Sequence, residues 1–284
     1  MINRRIFLQN SLLAATGLAL LPGCLFSSGP EPERKWGIQL YSLREQLDNG
    51  MPLPELLGKL KETGFSFIET ASYSQRRFYG YSPGEFRQMV GEAGLSAVSA
   101  HINLENENLT EVAEDALMAG MSYIVQPFLP QQFRTSPEQY RQAAEWLNNT
   151  GEELKKSGLT FAYHNHDFEF HEIEGEVPYL LLLTHTAPEF VTMQMDTYWV
   201  VYGGSEPRYW IHEFPGRFRL IHVKDMVSGP GRESVTPGTG RIDFGELFRL
   251  AEKAGVREWI IEQEAFSGNP FESLKEGLNL LNQL

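Results

Sequence analysis

The sequence predicts an α/β protein folded as a single (β/α)8 barrel. Three observations predict it. Short β-type runs alternate with helix-type runs from Lys35 onward. The order helix, glycine, strand recurs, with Gly64, Gly94, Gly120, Gly158 and Gly255 placed as left-handed helix caps. Eight strand-like runs can be read, the number that closes a parallel sheet into a barrel.

In chain order, residues 1–28 read as an export signal and are set aside from the fold. Asn3-Arg4-Arg5-Ile6-Phe7-Leu8 carries the twin arginine of a folded-protein export signal. The apolar stretch Leu12 to Leu21 is too short for a membrane span. Leu21-Pro22-Gly23-Cys24 resembles a lipobox, with Cys24, the only cysteine, as the lipidated residue. The alternative is an ordinary signal with a chance cysteine. Residues 29–34 would be a tether, and 35–284 the barrel. The expected product is an exported, periplasm-facing lipoprotein, held to the membrane by its lipid anchor alone. Processing at Cys24 leaves 261 residues (284 minus 23), enough to bury a substantial core. It removes two arginines and no acid, so the formal charge goes from −13 to −15. Such an acidic body argues against a nucleic-acid partner, because phosphate backbones need Lys and Arg.

The predicted strands are 36–42, 66–71, 96–102, 122–128, 159–166, 191–197, 218–224 and 258–264. Amphipathic helices are predicted at 53–63, 83–93, 107–119, 137–157, 244–254 and 271–283. Pro83, Pro137 and Pro207 stand near helix starts, where a missing N–H costs little.

Four of these strands end in metal-capable side chains: T-F-A-Y-H-N-H-D (160–167), V-T-M-Q-M-D (191–196), R-L-I-H-V-K-D (219–225) and W-I-I-E-Q-E (259–264). Barrel active sites lie at the C-terminal strand ends, so His164 or His166, Asp196, His222 and Glu262 are expected to meet at one mouth. Imidazole and carboxylate ligands suit one borderline divalent ion: Mn, Co, Zn or Ni. Each residue also has a plainer reading. Asp196 could cap the next segment, and His222 could be a satisfied core histidine. Glu262 and Glu264 alternate on one strand and would both face inward, which calls for a metal or for Lys224 as partner. His164 and His166 are two apart and would share a face, with Asn165 turned outward. Asp167 and Glu169 could orient them or be solvated loop residues. Earlier strands end in Gln39, Glu69, His101 and Gln126, which fit a pocket for sugar hydroxyls or hydrogen bonds inside the barrel. Tyr73, Phe78, Tyr79, Phe128, Trp199 and Tyr202 fall near loops after strands, where rings stack on sugars or simply pack.

These features resemble the sugar-phosphate isomerase/epimerase superfamily of xylose-isomerase-like barrels, over roughly 35–284. The marks are G-I-Q-L-Y-S-L-R (37–44), Y-H-N-H-D-F-E-F (163–170), D-T-Y-W-V (196–200), H-V-K-D (222–225) and I-E-Q-E (261–264). In ketose epimerases of that superfamily a divalent ion is held by Glu, Asp, His and Glu from strands five to eight. The resemblance places the last three at Asp196, His222 and Glu262. It departs at strand five, where His164 stands in place of the first Glu, and at Trp199, where epimerases tend to have a substrate-binding histidine. The Y-H-N-H-D form is more similar to inosose dehydratases and to periplasmic proteins acting on 3-keto-glycosides.

The resemblance implies a metal-dependent isomerase, epimerase or lyase that removes a proton beside a sugar carbonyl. Its small-molecule sugar substrate would meet Gln39, Glu69, His101, Gln126, Trp199 and Glu264. His164 is the preferred strand-five ligand. His166 and Glu262 would move protons, and Lys224 would polarise an oxygen or balance charge. The rival expectations are a non-catalytic sugar-binding lipoprotein and a metal-dependent phosphodiesterase of the abasic-site endonuclease type.

Overall fold

The structure is a computed structural model and describes residues 34–284. The expected export signal, with Arg4, Arg5 and Cys24, and the tether up to residue 33 lie outside the described residues.

Eight parallel strands close a barrel: β1 (Trp36–Gln39), β2 (Phe67–Thr70), β3 (Ser96–His101), β4 (Tyr123–Gln126), β5 (Thr160–His164), β6 (Val191–Asp196), β7 (Phe218–Val223) and β8 (Glu258–Ile261). They pair in chain order, and β8 returns to β1 through Trp36↔Trp259 and Ile38↔Ile261. A helix follows each strand on the outside: α1 (Leu53–Thr63), α2 (Pro83–Glu92), α3 (Leu109–Met118), α4 (Pro137–Lys156), α5 (Pro178–His185), α6 (Pro207–Glu213), α7 (Phe244–Lys253) and α8 (Pro270–Leu281). Among the described residues no helix is long and apolar enough to cross a membrane.

The helices start where the sequence offers caps. Ser82 and Glu85 form a reciprocal capping box at α2, and Ser136 and Asp243 cap α4 and α7. The predicted glycine caps hold positive φ, from 75° at Gly94 to 120° at Gly64, a region costly for residues with a Cβ.

The core is in two parts. A large cluster fills the space between strands and helices. A smaller one, Phe67, Tyr123, Val125, Ala162, Leu220 and Ile260, plugs the inside of the barrel. The Phe67 ring lies over Gly37, where a Cβ would collide with it. Two residues along β5, β7 and β8 from Ala162, Leu220 and Ile260 come His164, His222 and Glu262. The period of two along a strand thus converts an apolar layer into a polar one above it.

The strands end one to three residues earlier than the sequence suggests, because the loops leave the ladder as soon as the polar layer is reached. His166, Lys224 and Glu264 therefore stand just past β5, β7 and β8 rather than on them. The register slips by one residue between Ile68 and Glu69 against β3, and between Met193 and Gln194 against β7. The second slip sets Asp196 beside His222. Without it Asp196 would face Ile221, because a one-residue shift exchanges the two faces of a strand.

Candidate metal centre

His164 and Asp196 are the last residues of β5 and β6, His222 is the fifth residue of β7, and Glu262 follows β8. The structure brings these four together. One ligand atom from each lies within 4.8 Å of the others, and all four side chains are buried. His101, from β3, forms a second such group with His164 and His222, its ring stacked on His222 with centroids 5.2 Å apart.

Asp196 divides its oxygens. Oδ1 accepts from the Trp199 N–H at 3.0 Å and so caps the short helix Thr197–Tyr202. Oδ2 is buried and has no hydrogen-bond partner. Both the capping role and the convergent role raised by the sequence are thus visible in one side chain. Burial, with Glu262 nearby, pushes Asp196 up to about 7, against the pull of Lys224. A buried carboxylate oxygen without a hydrogen bond, 3.6 Å from the Lys224 ammonium and amid two imidazoles and a second carboxylate, suits a divalent cation, which would bind it directly and reverse that shift.

The other charges are set by their neighbours. Burial alone would raise Glu262, but Lys224 and His222 hold it below the usual carboxylate range. Burial would lower His222, yet Glu69 and Glu262, on either side of its ring, carry it up to about 10. Burial and the neighbouring His222 and His101 hold His164 well below its ordinary value. Lys224 is fully buried. Its Nζ pairs with Glu264 and lies 3.6 Å from Asp196 and 3.7 Å from Glu262. Of its two expected roles, balancing charge is the one this geometry favours.

Above the cluster lies a cavity of about 480 Å³. His101, His164, His166, Trp199, Glu262 and Glu264 line it on the cluster side, and Tyr41, Tyr73 and Phe128 line it further out. No Lys or Arg is among its lining residues. His166 packs between Trp199, at 5.3 Å, and Phe168, at 6.0 Å, and its Nδ1 is buried without a partner. Burial and then Lys224 lower it to about 4, so the ring is neutral at pH 7. Glu169, which the sequence left between two roles, is buried and accepts the His166 backbone N–H at 3.0 Å. Asn165 turns away from the cavity and clasps the Asp196 backbone at both N–H and carbonyl.

Three residues expected at the substrate are elsewhere. Gln39 and Glu69 lie beneath the cluster, hydrogen-bonded to each other at 2.8 Å. Gln126 holds the loop after β3 through the Leu104 N–H and Asn103. Tyr123 and Val125 belong to the interior plug, so strand alternation turns Gln126 away from it. Phe78 is likewise a core residue, fully buried against Phe86 and Tyr73. Sequence reasoning missed Gln194 and Ser99, which bond Glu69 from β6 and β3. The signal for Gln194 was its place two residues before Asp196, on the same face and one layer deeper.

A sugar phosphate isomerase/epimerase from Parabacteroides distasonis ATCC 8503 superposes with a TM-score of 0.79 at 25% identity, covering 90% of this chain and 96% of that one. The IOLI protein, crystallised with a zinc atom, gives a TM-score of 0.69 at 13% identity over 88% of this chain and 99% of its own, a likeness of fold. Inosose dehydratase 2 of Bacillus cereus (strain ZK / E33L) is 29% identical over 136 residues, 41% of this chain and 45% of the relative. The match thus spans less than half the length of that curated relative. The family model described as xylose isomerase-like TIM barrel matches residues 57–284, and with its closed eight-stranded barrel this chain belongs to that family.

Proposed function

We propose that this protein is a divalent-metal-dependent enzyme acting on a sugar or keto-sugar by removing a proton next to a carbonyl, as an isomerase, epimerase or lyase. The observation that carries the reading is the buried Asp196 Oδ2, which takes no hydrogen bond, within the set His164, Asp196, His222 and Glu262, on the floor of a cavity. The zinc of the IOLI structure and the dehydratase relatives point the same way. Mn, Co, Zn or Ni would fit these ligands. Such an ion, when bound, supplies Lewis-acid stabilisation of charge developing on a carbonyl oxygen.

The chain's own residues supply the rest. His166 is neutral and lines the cavity, which suits a base that takes a carbon-bound proton. Glu262, kept ionised by Lys224 and His222, is the second proton carrier on the wall. Trp199, Tyr41, Tyr73 and Phe128 offer ring faces and edges to the apolar sides of a sugar. A lining without Lys or Arg suits a neutral substrate better than a phosphodiester. The preferred substrate is a 3-keto-glycoside, with free ketohexoses second. We also propose export through the twin-arginine signal and anchoring at Cys24.

The test is solvent exchange. Protein loaded with Mn, Co, Zn or Ni is incubated with 3-keto-glucoside in deuterium oxide and the sugar is weighed by mass spectrometry. Deuterium uptake is expected, with release of the aglycone if the outcome is elimination and an intact sugar if it is epimerisation. No uptake from any keto-sugar would leave a sugar-binding lipoprotein as the better account.

A further inference from the structure

Beneath the metal cluster lies a fully buried polar layer that the proposed chemistry does not use. At its centre Glu69 has no exposed surface, four hydrogen-bond partners and, besides these, His101 Nε2 at 3.1 Å from Oε1. Oε1 accepts from Gln39 Nε2 at 2.8 Å and faces His222 Nε2 at 2.5 Å. Oε2 accepts from Ser99 Oγ at 2.6 Å and from Gln194 Nε2 at 2.7 Å. A carboxylate has about four acceptor positions, so Glu69 is saturated.

This saturation fixes the orientation of its neighbours. Gln39 spends its amide oxygen on the Tyr41 N–H, at 3.1 Å, so its nitrogen must face Glu69. Gln194 must also turn its nitrogen to the carboxylate, which aims its oxygen at the histidines. That oxygen lies 3.0 Å from His164 Nδ1 and 2.6 Å from His101 Nε2. An amide oxygen only accepts, so both ring nitrogens facing it carry hydrogen. The two register slips fall at Glu69 and Gln194, which is how irregular strand pairing re-aims a side chain beside a site.

We infer that Glu69 and Gln194 are positioning residues that select the histidine tautomers, leaving His164 Nε2 and His222 Nδ1 as the atoms offered to a metal. The inference rests on the metal site proposed above. His164 Nε2 lies 3.9 Å from Asp196 Oδ2, and His222 Nδ1 lies 2.8 Å from Glu262 Oε2. A histidine ligand needs its other ring nitrogen held by an acceptor, and here one buried carboxylate does this twice, directly for His222 and through Gln194 for His164. Glu69 thereby acts through the ligands and not on the substrate.

The experiment reads the tautomers by long-range proton–nitrogen NMR on full-length protein labelled with nitrogen-15 in its 7 histidines. With zinc bound, hydrogen is expected on His164 Nδ1 and His222 Nε2. The reverse tautomer at either ring would overturn the inference. Glu69→Gln keeps the shape, but whichever way the new amide turns, its NH2 meets a donor, either Gln194 or the His222 Nε2–H. Zinc affinity is then expected to fall roughly 10- to 100-fold, with one histidine changing tautomer. Gln194→Met should lower affinity similarly while altering His164 and not His222. Wild-type affinity and unchanged tautomers in both variants would overturn the proposal. If the wild type bound no zinc, yet chelated protein showed hydrogen on His164 Nδ1 and lost it in Gln194→Met, the metal reading would fail and the positioning role would stand.

Discussion

Asp196, His222 and Glu262 are buried ionisable groups whose neighbours are also ionisable, so each substitution there has a direction. Replacing any one by alanine is expected to weaken metal binding more than about 100-fold while circular dichroism stays that of a folded barrel. Calorimetric titration with zinc or manganese checks this, and wild-type affinity in Asp196→Ala would remove the proposed centre. Lys224 separates its two roles in another way. A cation buried among Asp196, Glu262 and Glu264 balances their charge, so Lys224→Met should cost roughly 3–5 kcal/mol of stability in chelator. A lysine serving only to polarise substrate would leave stability unchanged. Glu169 gives a pH dependence. Burial pushes it up to about 7, from an ordinary 4.5, against the hydrogen bonds of Tyr163 and the His166 backbone. The folded state therefore holds this proton more tightly than the unfolded chain does. Its stabilising share is complete below 4.5 and is lost as pH rises through 7, on the order of 3 kcal/mol in all. Urea unfolding at pH 4.5 and pH 8 should show that slope in the wild type and a shallower one in Glu169→Gln.

At the level of helices and strands, α4 lies close against the start of β6. Gly151 is buried there, and a Cβ would run into the Phe190 carbonyl oxygen. Alanine is the better helix former by about 1 kcal/mol, yet Gly151→Ala is expected to destabilise by roughly 1–3 kcal/mol, because backbone cannot step aside. Thermal melts decide the sign. All eight strands were legible as apolar runs, α1, α2, α3, α4 and α7 as amphipathic runs closed by a glycine, and α8 as a last amphipathic run. Helix α5 was not legible. Its P-Y-L-L-L-L-T-H is apolar on nearly every side, so it carries no helical period, and α6 and the helix Thr197–Tyr202 are too short to show one. The same limit applies to the site. Strand ends announced the four convergent residues, since a charged group after an apolar run stands out. Depth was not announced. Gln39 and Glu69 looked like pocket residues because alternation gives the face of a strand and not the layer. Gln126 was read as a strand-end group without assigning its face, and Tyr123 and Val125 inside the barrel put it on the opposite one.

For the molecule as a whole, the proposed address lies in its first residues and has its own test. Cys24→Ser is expected to move the protein from the membrane fraction to the soluble periplasm, and lysine at both Arg4 and Arg5 to leave precursor in the cytoplasm. Unchanged fractionation in the first would set the lipobox aside. The barrel's seam adds a matter of timing. Its first strand, β1, is held on one side by β2 and on the other by β8, whose last residue, Ile261, precedes Glu262. A ribosome delivers β1 early and β8 more than two hundred residues later. Until then β1 keeps an open edge, and the cluster lacks one of its carboxylates. Neither the ring nor the cluster can be completed before β8 has been made. A protein exported in the folded state would close this seam first, and so would meet the ions of the compartment where it is synthesised before those of the compartment where it works.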